Sequence, residues 1–130
     1  MGQLSNCDAI SVLLLDDEPS FRMSLAEMLR DDGHEVRAYA APAHLPPLRT
    51  LENIAILVTE YEMPGKNGVA LTDAFRAQHP DVPVILVTAN RTQSLDAEVL
   101  ARPYLRLVEK PLDYAVLHAL IHDACAAACV

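Results

Sequence analysis

Basic residues are scarce in this chain of 130: ten against eighteen acids, a formal net charge of −8, with Lys66 and Lys110 the only lysines. No run of basic residues occurs, which argues against contact with nucleic acid or an anionic membrane surface by this domain. Long apolar runs are missing too, since nothing approaches the roughly 20 residues that cross a bilayer. The segment Met1 to Asp8 has no basic stretch followed by an apolar core, so it does not read as a secretory signal. Gly2 lacks the Ser or Thr that myristoylation needs, because Asn6 stands in that place. These absences point to a cytoplasmic chain with no membrane contact.

Cysteine is also rare. Cys7, Cys125 and Cys129 are odd in number and without framework spacing, as expected of free thiols in a reducing compartment. His118, His122, Cys125 and Cys129 share one helical face, which raises the question of a metal. As ligands of one ion they would spread over about 16 Å of helix, too far for a tetrahedral centre. The reading adopted is therefore small thiols near the core edge and solvated histidines, with a two-ligand site completed by another chain as the metal alternative. Repeats, linkers and low-complexity segments are absent. At 52% hydrophobic and 22% charged, the chain has the composition of one globular domain over residues 1–130, with its core at about 10–125.

What is present is an alternation of short apolar runs with stretches of helical period, the signature of βαβ units around a parallel sheet. Strands are expected at 11–15, 35–39, 54–58, 83–87 and 104–108. Three are continuously apolar, as strands covered on both faces must be. The second and fifth alternate apolar with polar residues, which places them at the edges and gives the strand order 2-1-3-4-5 with right-handed crossovers. Pro19 opens the first helix, Phe21, Leu25, Met28 and Leu29 form its apolar stripe, and Gly33 ends it. A second helix, around 42–52, is weakened by Pro42, Pro46 and Pro47. A third runs from Gly68 to His79 with Leu71, Ala74 and Phe75 inward. A fourth, short one occupies 92–100, and the last starts near Asp113 and buries Leu117, Leu120, Ile121 and Ala124.

Polar residues follow four of these strands: Asp16-Asp17-Glu18, the run Glu60-Tyr61-Glu62-Met63-Pro64-Gly65-Lys66-Asn67-Gly68, Thr88-Ala89, and Lys110-Pro111. In an open parallel sheet, ligands sit beyond the carboxyl ends of the strands, so these side chains can share one crevice. Each also has a plain structural role open to it. The acids can complement a helix N-terminus, Thr88 can cap a helix, and Lys110 can be a surface charge before a turn.

Taken together and in this order, the motifs resemble the receiver domain of response regulators, the CheY-like family, over nearly the whole chain. The resemblance implies a flavodoxin-like (βα)5 fold and a place in two-component or phosphorelay signalling. It implies Asp16 and Asp17 as an acidic pair for Mg²⁺, with Asp17 the direct ligand. Residue 60 would be phosphoacceptor and ligand, the Glu62 backbone carbonyl a further ligand, and Thr88 and Lys110 the groups that bind phosphoryl oxygens. Expected partners are a histidine kinase, a phosphotransfer protein or an output domain. A homodimer through the face of the fourth helix, last strand and last helix is a further expectation.

Three positions depart from the family pattern. Glu60 stands where the acceptor is aspartate, so its carboxylate lies one carbon–carbon bond, about 1.5 Å, further out. Leu107 occupies a switch position where receivers often carry an aromatic. Ala101-Arg102-Pro103 replaces a glycine-containing turn. The expectation is a receiver that is not an enzyme and works without phosphorylation, through protein contacts. In it Glu60 reaches toward Lys110 and Thr88, and Mg²⁺ binding is weak or absent. Glu62 adds negative charge beside the site, which would raise divalent affinity yet repel a phosphodonor, unless only its backbone matters. The alternatives are a conventional relay using Glu60 or a neighbouring acid, and a small Mg²⁺-dependent phosphohydrolase. The latter is disfavoured because similar enzymes have Asp-x-Asp after the first strand. A flavin carrier lacks its Ser/Thr/Gly-rich phosphate loop here. Met1 and the lack of an appended output domain favour a stand-alone chain.

Overall fold

The computed structural model describes residues 9–129, with side chains through 126; Cys7 and the Cys129 side chain lie outside that range. Five parallel strands, β1 (Ser11–Leu15), β2 (Glu35–Tyr39), β3 (Ile56–Glu60), β4 (Val84–Thr88) and β5 (Leu105–Glu109), form one sheet in the order β2-β1-β3-β4-β5. Four helices cover its two faces: α1 (Pro19–Asp31), α2 (Gly68–Gln78), α3 (Gln93–Leu100) and α4 (Tyr114–Cys129). Every residue of β3 and β4 is buried, whereas β2 and β5 are partly exposed, as expected of edge strands. The flavodoxin-like order predicted from edge alternation is the order observed.

Strand periodicity sends alternate residues to opposite faces, and two cores result. Val12, Leu14, Ile56, Val58, Ile85 and Val87 meet α1 and α4 through Leu25, Leu29, Leu117 and Ile121. Leu13, Leu15, Leu57, Val84 and Leu86 meet α2 and α3 through Leu71, Phe75 and Leu95.

Several local expectations need correction. The helix expected around 42–52 is replaced by two 3₁₀ turns, Pro42–His44 and Leu48–Thr50. Pro46 and Pro47 supply no N–H for a helical ladder, and Leu45, Leu48 and Leu51 cover the sheet from these turns instead. Met28 is not part of the buried stripe of α1, being 40% exposed. β3, β4 and β5 end one or two residues later than predicted, so Glu60 and Thr88 are the last residues of their strands rather than loop residues. His118 and His122 are half-buried rather than solvated, packed against each other and against the buried His34. The Cys125 thiol is in the core, where burial pushes it up to about 11 against the opposing pull of Arg106.

One glycine fixes how the site is assembled. Gly68 opens α2 against the end of β3, and its N–H donates to the Tyr61 carbonyl at 2.7 Å. A Cβ at residue 68 would lie 2.5 Å from the Glu60 carbonyl oxygen and 2.6 Å from Leu86 Cδ1. Gly68→Ala is therefore expected to lower stability by about 2 kcal/mol or more, because backbone must move to admit it. Urea denaturation checks this, and a loss below about 0.5 kcal/mol would show that the β3–α2 approach is soft.

Candidate functional site

Four strand ends deliver the site. β1 leads directly into Asp16, which is 1% exposed, and its Oδ1 accepts the Glu18 N–H at 2.9 Å. Arg22 on α1 donates to the Asp16 carbonyl at 2.8 Å, tying the turn to the helix. Glu18 is the N-cap of α1, its carboxylate accepting the Phe21 N–H at 3.1 Å. The plain capping role thus belongs to Glu18, and Asp16 points into the crevice. Asp17 is exposed.

Glu60, buried at the end of β3, uses both carboxylate oxygens. Oε2 accepts the N–H groups of Tyr61 and Glu62 at 3.0 and 3.3 Å, and Oε1 lies 2.8 Å from Lys110 Nζ. The same ammonium lies 3.0 Å from Asp16 Oδ2 and 4.0 Å above the Phe21 ring. Lys110 therefore sits between two buried carboxylates under an aromatic cover. Burial alone would weaken its hold on the proton; the hydrogen bonds to Glu60 and Asp16 and their charges outweigh it, and the net shift is upward. The Phe21 contact was not legible in the sequence, where Phe21 reads only as part of a core stripe.

Thr88, fully buried at the end of β4, turns its hydroxyl to the next loop. It donates to the Asn90 carbonyl at 3.2 Å and accepts the Asn90 N–H at 3.1 Å. Its carbonyl accepts the Lys110 N–H at 2.8 Å, which registers β4 against the turn carrying the lysine. Among the described hydrogen bonds none joins Glu60 to Thr88, so of the two expected partners Glu60 reaches Lys110 and not Thr88. Glu62 is exposed, and Leu107 is half-buried against the α2–α3 core.

Mg²⁺ is the ion that the expected donor set implies. Carboxylate oxygens suit that ion in kind. Here, however, Asp16 Oδ2 and Glu60 Oε1 already face the Lys110 ammonium, and their other oxygens accept backbone N–H groups. In this arrangement the residues do not fit the ion, since a second cation would have to displace the lysine.

The turn before β5 is also built differently from the family expectation. Arg102 is held by Asp73 of α2 through two hydrogen bonds, at 2.9 and 2.7 Å. The Arg102 hydrogen bonds, opposed by slight burial, hold the Asp73 carboxyl below its ordinary range.

Comparison with known proteins agrees with the fold. The family model described as response regulator receiver domain matches residues 12–122. Response regulator protein FleR of Pseudomonas aeruginosa is 29% identical over 86% of this chain and 25% of its own length. A protein-glutamate methylesterase/protein-glutamine glutaminase of Geobacter metallireducens is 30% identical over 78% of this chain and 30% of its own. The chain thus spans about a quarter to a third of these curated relatives. Among solved structures, a CheY-like receiver domain protein from Methanospirillum hungatei superimposes with a TM-score of 0.85 at 19% identity, over 92% of this chain and 96% of that one.

Proposed function

The chain belongs to the response regulator receiver domain family, and we propose that it is a receiver that signals through protein contacts without an aspartyl phosphate. One observation carries this reading: the buried Glu60 carboxylate is closed by Lys110 at 2.8 Å and by two backbone N–H groups. A carboxylate attacks phosphorus through a lone pair, and each hydrogen bond it accepts lowers that lone pair's availability. Its reach is also wrong for the family's chemistry. In-line transfer tolerates little misplacement, and an error of about 1 Å can cost about a hundredfold. Lys110, which would otherwise meet incoming phosphoryl oxygens, is occupied by Glu60 and Asp16. The pairing imitates part of a phosphorylated site, with one charge and two oxygens in place of a dianion with three.

On this reading Glu60, Thr88 and Lys110 keep the positions of the family's phosphorylation residues without its reaction. Asp16, Asp17, Glu60 and the Glu62 carbonyl hold Mg²⁺ weakly or not at all. Leu107 replaces the aromatic switch. The domain covers residues 1–130, acts in the cytoplasm, is no enzyme by itself, and meets a kinase, phosphotransfer protein or output domain. Homodimers would form through the face of α3, β5 and α4. The test is the intact mass of the protein after incubation with Mg²⁺ and a small phosphodonor. The expected spectrum is unmodified. Covalent phosphate on Glu60 or a neighbouring acid would establish a conventional relay instead.

A further inference from the structure

Away from the acidic crevice, three imidazoles converge. His34 comes from the turn between α1 and β2, and His118 and His122 from successive turns of α4. One ring nitrogen from each lies within 4.8 Å of the others. The ring centroids are 4.5 Å apart for His118 and His122, 5.1 Å for His34 and His118, and 5.7 Å for His34 and His122. We propose that His34, His118 and His122 form a binding site for a borderline transition-metal dication, with Zn²⁺ as its representative.

The spacing and the second element both favour this. Residues four apart on a helix lie on one face, so His118 and His122 present a chelating pair, the same spacing that holds zinc in helical His-x-x-x-His motifs. Imidazole nitrogen is the donor that Zn²⁺, Ni²⁺ and Cu²⁺ take, while Mg²⁺ prefers oxygen. Three protein nitrogens leave a fourth position open. Asp32 stands beside it, its Oδ2 3.7 Å from His118 Nε2 and accepting the Tyr114 hydroxyl at 2.7 Å. Tyr114 also stacks on the His118 ring at 5.4 Å, which fixes its plane. The Asp32 carboxylate brings negative charge beside the His118 nitrogen, which favours a dication there.

Without metal, a proton holds the centre. His34 Nδ1 accepts the Ile10 N–H at 3.1 Å, so the neutral ring carries its proton on Nε2 and donates it to His118 Nε2 at 2.9 Å. A metal ion bound to both Nε2 atoms takes that proton's place. His34 then either releases the proton to solvent and binds as imidazolate, or moves it to Nδ1 and gives up the Ile10 hydrogen bond. Either course makes the site weaker than a trihistidine centre with free Nδ1–H groups, and binding competes with protons. The ion would clasp the turn before β2 to the last helix. Ile10 and Asp16 flank β1, so this clasp lies about 20 Å from the acidic crevice, at the opposite end of the sheet.

The test is calorimetric titration of Zn²⁺ into the full chain, in buffer containing millimolar Mg²⁺ to occupy oxygen-only sites. His118→Gln and His122→Gln are run alongside, with imidazole C–H resonances followed by NMR. His34 is left intact because it is buried and serves the Ile10 amide. The expected result is one equivalent bound, affinity reduced by more than the roughly 100-fold that loss of an outer-shell partner can cost in each variant, and shifts of the His34, His118 and His122 resonances. Circular dichroism checks that both variants are folded, which is expected because both side chains are half-buried within α4 and glutamine suits a helix interior. The proposal is overturned if wild type binds no zinc, or if both folded variants bind as tightly as wild type.

Discussion

Replacing Glu60 by aspartate is expected to produce a chain that gains one phosphoryl group from a small phosphodonor in Mg²⁺, under conditions that leave wild type unmodified. The shorter side chain withdraws the carboxylate by about 1.5 Å. It then cannot keep both the 2.8 Å contact to Lys110 and the hydrogen bonds to the Tyr61 and Glu62 amides. Lys110 is released toward the open crevice, and a dication can approach Asp16 and Asp17. Thr88 needs only a rotation about one bond to leave Asn90 and face the phosphoryl site. The gain in rate should be about a hundredfold, the scale of one misplaced reacting atom. Intact mass spectrometry over time measures it. An unmodified, folded Glu60→Asp chain would mean that the pocket is defective elsewhere, and that Glu60 is not what silences it.

Lys110→Met should be the most damaging single change at the crevice, costing about 2–4 kcal/mol of stability. The cost comes from what is left behind. Asp16 and the Glu60 side chain are 1% and 6% exposed, and without the ammonium two buried carboxylates face each other. The lower end of the estimate allows for water entering from the lysine side, which is 20% exposed. Two measurements distinguish this from simple loss of packing. Mg²⁺ should stabilise the variant much more than wild type, because it can take the vacated place. The other is the alkaline pH dependence of stability. Lys110 is held above its ordinary value of 10.5, so its contribution is complete below that pH and is lost as pH rises through the folded value. Wild type should show that alkaline limb and the variant should lack it. A variant within 1 kcal/mol of wild type and indifferent to Mg²⁺ would remove the ion-pair argument.

The sheet was legible because burial on both faces forces continuous apolar runs and edges do not. Val84-Ile85-Leu86-Val87 and Tyr104-Leu105-Arg106-Leu107-Val108 differ in that respect, and their places in the sheet differ accordingly. Strand ends were less legible, since Glu60 and Thr88 are polar yet buried inside the ladder. The segment 42–52 misled because its leucines have helical spacing while Pro46 and Pro47 deny the hydrogen bonds. In the site, the positions of Asp16, Glu60 and Lys110 followed from strand ends, but their mutual geometry did not. Nothing in the sequence says that Thr88 turns to Asn90, or that Phe21 covers the lysine. The histidine cluster failed for another reason. His118 and His122 stand out by spacing, but His34 is 84 residues from His118 and joins them only through packing of α4 beside the α1–β2 turn.

A counterion carried on the chain behaves unlike one drawn from solution. Lys110 is tethered between Asp16 and Glu60, so its effective concentration there is fixed by the fold. As proposed, chelators, dilution and changes in magnesium concentration would leave its occupancy unchanged. Under the proposed reading, such a domain has no off state to be reset by a phosphatase. Its output would then scale with copy number, placing control in synthesis and turnover rather than in covalent modification.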